Sequence, residues 1–531
     1  MAVLVHQPCS AATVKSASSS EACSASEARW ILAATILASS MAFIDGTVVN
    51  VALPFLQKEL NATAIGVQWV VESYALLLSA LLLAGGSLGD RYGRRRIFIV
   101  GIAIFALTSV ACGVSVNISQ LIIARAVQGV GAALLIPGSL AIISASFSED
   151  QRGRAIGTWS GFSAITTAIG PVLGGWLVEH VSWRAVFFLN LPIAIAVILI
   201  SRWRVPESHD RDEKGSLDWV GAILATLGLG GIVYGLIESS RDGFSNSTVI
   251  VSLGAGTIML ALFVWNEVRV KNPMVPLRLF KSRDFTGANL LTLFLYAALM
   301  GMFFFFALDL IQVQHYSATG AGSALLPFVV LMFALSRWSG GLIDRFGPRL
   351  PLTIGPLIAA VGFALFARPS ANANYWTGFL PAVLVLGLGM AISVAPLTTT
   401  VMGSVSSEQA GVASGINNAV SRAAGLMAIA VFGVIMLQTF GSQLAERLNQ
   451  VDVSQDVRQA MTEQRVRLAG MEVPSTLDPA VRSSLETVIH ESFQRGFRVL
   501  MFVSTGLALS SSLVAWFLIG SSRKRSRTES G

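Results

Sequence analysis

The stretch GGSLGDRYGRRR, residues 85–96, returns in abridged form as GGLIDRFGPR at 340–349, with Asp90 and Gly93 answered by Asp344 and Gly347. A second pair keeps nearly the same separation: GVGAALLIP, Gly129–Pro137, recurs loosely as GLGMAISVAP, Gly387–Pro396. One such pair could arise by chance, but two in the same order are the mark of an internal repeat. Each copy lies between long apolar runs, and partners fall on the same predicted side and direction. The repeated unit is therefore a set of membrane helices in parallel repetition, an arrangement found in transporters.

Composition leads to the same place. The chain has 531 residues, 53% hydrophobic and 13% charged, whereas a soluble domain carries about a quarter charged residues. A helix needs about 20 apolar residues to cross the hydrocarbon core. Fourteen stretches of that kind run from residue 30 to 520, with two of them, 218–238 and 248–266, lying between the repeats. The expected fold is an all-α polytopic membrane protein of two six-helix bundles plus two inserted helices. Its expected parts are a disordered tail, 1–28; a first bundle, 29–203; a linker with the inserted helices, 204–284; a second bundle, 285–520; and a basic tail, 521–531. The polar stretch 438–494 reads as one long outer loop carrying short surface helices.

The net charge of +7 is dispersed in short clusters between apolar runs, so it marks topology and not a nucleic-acid face. Arg91, Arg94, Arg95, Arg96, Arg152, Arg154, Arg202, Arg204, Arg345 and Arg349 fall on alternate loops with both tails. That pattern places both termini in the cytoplasm of a cell whose inner membrane the chain spans. Cys9, Cys23 and Cys112 have no disulfide or metal spacing, so no metal or redox chemistry is expected. No phosphate-cradling Gly-x-x-x-x-Gly-Lys-Ser/Thr segment and no nucleophile elbow occurs, which argues against an ATP-driven machine and against an enzyme. No cofactor is expected, and the energy source is expected to be a gradient.

Charges inside apolar runs identify candidate functional groups, because each costs at least roughly 2.5 to 3.5 kcal/mol at the centre of a membrane helix. Asp45, in MAFIDGTVVNVALP, could pass a proton from one side to the other as its surroundings change; the alternative is a structural pair with Arg125 of LIIARAVQGVGAALLIP. Gln128 lies one turn beyond Arg125. Glu72 shares a helical face with Gln68 and Ser79, and Asp309 follows the aromatic run Phe303–Phe306. These acids could couple transport or could be residues at an aqueous mouth.

In the repeated loop, Gly89 and Gly93 permit a tight turn, while Asp90, Arg91 and Arg94, with Asp344 and Arg345 in the second copy, supply charges for a conformational latch. The plainer alternative is a positive-inside anchor. In the fifth span, Gly157, Gly161, Ala164, Ala168, Pro171 and Gly175 alternate in steps of four and three, with Gly170 and Gly174 widening the stripe. Such a stripe lets another backbone approach closely.

These segments resemble the fourteen-helix drug:proton antiporter branch of the major facilitator superfamily. The matching pieces are IDGTVVNVALP (44–54), the loop at 85–96, RAVQGVGAA (125–133), GFSAITTAIGPVLGG (161–175) and WRAVFFLNLP (183–192), with a weaker match at GVASGINNAVSR (411–422). The resemblance implies a major facilitator fold with alternating access, and exchange of protons for small amphipathic, cationic drugs by a monomer. It implies a proton or cation site at Asp45 coupled to Arg125, and an antiporter hinge at Gly161, Gly170, Pro171, Gly174 and Gly175. Asp309 stands where relatives usually have an aromatic residue. The residues leave open a dedicated exporter of one metabolite class, or a channel or non-transporting sensor.

Overall fold

The bilayer core offers the backbone no water, so each crossing segment has to satisfy its own N–H and C=O groups, and helices do this. The computed structural model describes residues 25–147, 149–208, 218–271, 273–369, 373–405, 409–451 and 453–520, and no strand occurs among them. Residues 1–24 and 521–531, which carry most of the two expected tails, lie outside the described residues. In chain order the helices are α1 (Ala25–Glu59), α2 (Ala64–Tyr92), α3 (Arg94–Gly113), α4 (Ile118–Ser146), α5 (Glu149–His180), the short α6 (Ala185–Phe188), α7 (Asn190–Arg204), α8 (Trp219–Asp242), α9 (Ser247–Arg269), α10 (Arg283–Leu308), α11 (Ala318–Ser323), α12 (Leu326–Gly340), α13 (Leu342–Phe346), α14 (Arg349–Phe366), α15 (Leu380–Gly403), α16 (Ala410–Leu448), α17 (Gln455–Glu463) and α18 (Pro479–Leu518).

Local chemistry sets several of these starts. Thr63 Oγ1 accepts from Gly66 N at 3.1 Å to open α2, Asn117 Oδ1 accepts from Gln120 N at 2.9 Å to open α4, and Asn246 Oδ1 accepts from Thr248 N at 2.8 Å to open α9. Each satisfies a backbone donor that has no partner inside the helix. Among the described residues, thirteen helices are long and apolar enough to cross a membrane. The 32-residue α5 has the length as well, but glycine, serine, threonine and the charged residues of its first turns dilute its apolar character.

The chain divides into two compact units. The first comprises residues 1–276, 304–324 and 429–496; the second comprises 277–303, 325–428 and 497–531. Within the first, α2, α3 and α4 meet at backbone distance. A Cβ built on Gly101 would lie 2.9 Å from Gly131 O, one on Gly131 would lie 2.7 Å from Phe105 N, and one on Gly129 would lie 2.5 Å from Tyr74 O. The inserted helices form a hairpin, α8 on α9, where a Cβ on Gly231 would stand 3.0 Å from Gly256 Cα. The hairpin leans on α2 through Trp69 and Tyr234, whose ring centroids are 6.1 Å apart.

The second unit repeats the contact made in the first. A Cβ on Gly355 of α14 would lie 2.9 Å from Gly389 O of α15, as Gly101 of α3 does with Gly131 of α4. The turn before each pair repeats too: Gly93 (φ +108°) and Gly347 (φ +72°) both sit in the region that favours glycine and both close their helix through the N–H, to Gly89 O at 3.0 Å and to Ile343 O at 2.9 Å. The internal repeat read in the sequence is thus a repeat of backbone conformation and of helix contact.

The stretch 438–494 differs from a plain loop. Helix α16 continues to Leu448 and α18 already begins at Pro479, so the segment between the long helices shrinks to 449–478, which holds the short α17 and a 3-10 turn, Gln464–Gly470. The physical reason is composition: Gln, Ala, Glu, Leu and Arg are strong helix formers that extend a helix once it is nucleated, although they are too polar to count as a span.

The close glycine contacts give a direct test. Gly131→Val should lower the melting temperature and the yield of folded protein in detergent, because its side chain meets the α3 backbone and overpacking of this kind costs about 1–3 kcal/mol or more. Gly254→Ala, whose Cβ meets nothing within 4 Å, should melt like the parent chain.

Candidate functional site

Two of the intramembrane charges of the first unit, Asp45 and Arg125, meet directly. Helix α1 supplies Asp45 and α4 supplies Arg125 and Gln128, and their relative exposures are 0%, 1% and 0%. Arg125 Nη1 forms a short ion pair with Asp45 Oδ2. It also donates to Gln128 Oε1 at 2.7 Å, while Arg125 Nε donates to Val70 O at 3.2 Å. The Arg125 guanidinium lies 4.2 Å from the Tyr74 ring centroid of α2, a cation over an aromatic face.

Asp45 has further donors. Gln128 Nε2 donates to Oδ1 at 3.0 Å and Asn190 Nδ2, from the first turn of α7, donates to the same oxygen at 3.3 Å. Asn190 also donates to Ser109 Oγ at 2.9 Å, and Ser109 donates to Phe187 O at 2.8 Å. Both carboxylate oxygens are therefore engaged, and six helices, α1, α2, α3, α4, α6 and α7, share the network. A buried pair gains by this: the attraction between charges repays their desolvation when remaining lone pairs and protons are also satisfied.

Glu72 presents the opposite case. It is fully buried on α2, and neither carboxyl oxygen has a hydrogen-bond partner among the described residues. Gln68, one turn earlier, donates to Ile429 O at 3.0 Å. Asp309 is 2% exposed and opens a π-helical turn, Asp309–Val313, in which Gln314 Nε2 lies 3.4 Å from its Oδ2. This π turn ends the helix that α10 begins, before α11 starts at Ala318. Phe304, Phe305 and Phe306 are buried to within 3%.

The repeated loop forms an electrostatic knot in the first unit. There, Asp90 and Arg94 pair across the turn at 2.6 Å. The start of α3 is held from beyond α7: Arg95 N donates to Glu207 Oε1 at 3.0 Å, Arg94 N donates to Ser208 O at 2.8 Å, and Arg95 Nη1 donates to Val205 O at 3.1 Å. Glu207 thus places an anion at a helix N-terminus, where the backbone dipole favours one. Arg91 lies over the Tyr92 ring at 5.6 Å. In the second unit, Asp344 and Arg345 belong to α13, ahead of Gly347.

The glycine stripe of α5 has two packed faces. Cβ atoms on Gly170 and Gly174 would run into Thr47 and Val48 of α1, and one on Gly175 would run into Ala318 O of α11. A Cβ on Gly322 would in turn strike Pro171 O, and Glu179 Oε2 accepts from Thr319 N at 3.1 Å and Thr319 Oγ1 at 2.7 Å. The surroundings of Gly161 lie outside the described residues.

Of the acids singled out in the sequence, the structure joins Asp45 to Arg125 directly and gives Glu72 and Asp309 different surroundings. Asn190, Ser109 and Glu207 complete these sites and do not stand out in the sequence. The one available signal was a polar residue at an otherwise apolar helix start in FFLNLP.

Comparison with known proteins gives a match to the family model described as Major Facilitator Superfamily over residues 35–447. The chain is 31% identical over 489 residues to the tetracenomycin C resistance and export protein of Streptomyces glaucescens, covering 92% of this chain and 90% of that one. It is 32% identical over 499 residues to the multidrug resistance protein Stp of Mycobacterium tuberculosis (91% of each), and 31% identical over 518 residues to the puromycin resistance protein pur8 of Streptomyces alboniger (96% and 95%). Among solved structures, a bacterial homologue of the human lysosomal transporter Spinster, inward-facing and unoccupied, aligns with a TM-score of 0.64 at 17% identity, over 92% of this chain and 98% of that one. The inward-open xylose transporter XylE of E. coli aligns at 0.52 and 13%, over 93% and 96%.

The network predicts an asymmetry between single and paired changes. Arg125→Ala strands Asp45 as a buried anion and should cost about 3–5 kcal/mol of stability. Adding Asp45→Asn to it should recover most of that loss, read as a melting temperature restored towards the parent value while transport stays lost.

Proposed function

Because the chain belongs to the Major Facilitator Superfamily, a family of transporters and not of enzymes, we propose that it exports small amphipathic, cationic drugs or toxic compounds in exchange for protons, by alternating access. Its relatives carry the names of drug and antibiotic resistance and export proteins, which supports export of drugs as the direction and cargo class. The observation that carries proton coupling is the Asp45–Arg125 pair, sealed from water and shared by helices that have to move if the site is to face both sides in turn.

In this reading Asp45 and Arg125 form a charge switch. While ionised, Asp45 holds Arg125, and through Gln128 and Asn190 it ties α1, α4 and α7 together. A proton on Asp45 removes the charge that binds Arg125 and frees those helices to shift, and its release restores the tie. Glu72, whose charge nothing nearby balances, is the group that meets the positive charge of a substrate, with Asp309 a second coupling acid. The knot of Gly89, Asp90, Arg91, Gly93 and Arg94 and its counterpart at Asp344 and Arg345 latch one conformation, and the α5 stripe is the surface along which helices slide.

The membrane potential adds about 2.3 kcal/mol per charge moved per 100 mV, so an electrogenic exchange draws on both parts of the proton gradient. The proposed setting is the inner membrane with both termini cytoplasmic, and the proposed working unit is a monomer. Relatives named for a single antibiotic keep a second reading in view, a dedicated exporter of one metabolite class. A substrate panel separates the two by the number of compound classes carried.

The deciding measurement is substrate-induced proton release in vesicles containing purified protein. Asp45→Asn should abolish release and uphill export while still binding substrate. Normal coupling in that variant would refute the charge switch. Glu72→Gln should keep proton coupling but weaken apparent affinity for cationic substrates roughly tenfold, equivalent to about 1.4 kcal/mol, and leave neutral substrates unchanged.

A further inference from the structure

Apart from the acids of the site above, a pair of carboxyl groups meets at one end of the inserted hairpin. Asp218 caps α8, its Oδ1 accepting from Gly221 N at 2.7 Å, and its Oδ2 accepts from Asn266 Nδ2 at 2.8 Å. Glu267, in the last turn of α9, accepts from Val275 N at 2.8 Å through Oε2. The two acids are 8% and 3% exposed. Glu267 Oε1 has no donor of its own. A Cβ built on Gly221 would stand 2.5 Å from Asp218 Oδ2 and 3.0 Å from Glu267 Oε1, so both oxygens crowd one point. Their distances from that point put the two oxygens no more than 5.5 Å apart (2.5 Å plus 3.0 Å).

Two carboxylates are acceptors only, and facing oxygens repel unless something positive stands between them. No Lys or Arg among the described residues forms an ion pair with either group; Arg269, nearest in sequence, lies over the Trp265 ring at 4.3 Å. The inventory of donors then assigns the charges. Asp218 is the better anion, with an N–H on each oxygen and a helix N-terminus beside it. Glu267 has one oxygen satisfied by Val275 and one that faces Asp218. A metal ion fits poorly, since a hard cation takes six or more oxygens and, among the described residues, no third His, Cys, Asp or Glu joins these two.

We propose that Asp218 and Glu267 form a proton-binding site separate from Asp45, in which Glu267 Oε1 carries the proton and donates it to Asp218 Oδ2. The bound proton clasps three segments: the start of α8, the end of α9 and the strand of chain around Val275 that leads to α10. Its role is to hold the inserted hairpin closed at that end. On the topology read from the positive charges, that end faces the cytoplasm.

The test compares purified full-length variants. Glu267→Gln places an amide N–H where the proton stands, so it should melt within about 1 °C of the parent chain, whereas Glu267→Ala and Asp218→Ala should each melt about 2 °C or more lower. Infrared spectra taken in the Glu72→Gln background should show a protonated-carboxyl stretch that Glu267→Gln removes. Should the Gln variant fail to fold, glutamate labelled at the side-chain carboxyl in the Glu72→Gln background reports by its shifted band whether a protonated glutamate is present. The proposal fails if no such band exists, if Gln at 267 is as damaging as Ala, or if sodium, potassium, magnesium or calcium raises the melting temperature of the parent chain but not of Glu267→Gln, which would assign the site to a metal ion.

Discussion

The close approach of α4 to α2 and α3 is the constraint on which the site rests. Helices in lipid gain nothing from excluding water and associate through packing and hydrogen bonds. Gly129 against Tyr74 O and Gly131 against Gly101 O bring the backbones together, and with them the whole length of α4. Only at that separation does Arg125 reach Val70 O on α2 and Asp45 on α1 at once. A larger residue at either glycine would push α4 outward and leave a guanidinium among apolar side chains without its acceptors.

Burial then decides what the pair can do. A surface ion pair contributes little and can be lost at small cost, whereas removing one partner of the Asp45–Arg125 pair, at no more than 1% exposure, leaves an uncompensated buried charge. Neutralising Asp45 leaves Arg125 with Gln128 Oε1 and Val70 O as acceptors, both uncharged, so the balance among α1, α4 and α7 changes by several kcal/mol. That is enough to bias two arrangements that are otherwise close in energy.

Much of this was legible in the residues. Helix content, the repeat at 85–96 and 340–349, and the partnership of Asp45 with Arg125 follow from apolar length, motif recurrence and the cost of charge in hydrocarbon. Less was legible where polar residues do ordinary-looking work. Asn190 and Ser109 carry no charge and lie in spans that would be apolar without them, yet they complete the carboxylate's shell. Glu207 sits in an inter-helix segment whose purpose, holding the start of α3, depends on a contact more than a hundred positions away in sequence. Helix extension into 438–448 and 479–494 escaped notice because span-finding weighs hydropathy, while helix propagation depends on propensity.

The repeat also shows where symmetry stops. Gly101 with Gly131 and Gly355 with Gly389 make the same contact in the two units, and Gly93 and Gly347 make the same turn. At the offset that relates Gly129 to Gly387, however, Arg125 is answered by Val383 and Gln128 by Leu386, and both of these are fully buried. The second unit has its own polar contacts, with Asn417 Nδ2 donating to Asn289 Oδ1 at 3.2 Å and to Thr292 Oγ1 at 2.7 Å, and these are uncharged. Backbone packing is thus common to both copies because the same bilayer requires it of both, while among the described residues the buried charged side chains lie in the first unit. A duplicated packing scaffold explains why motif recurrence located the architecture but left the chemistry to be found from the residues that do not recur.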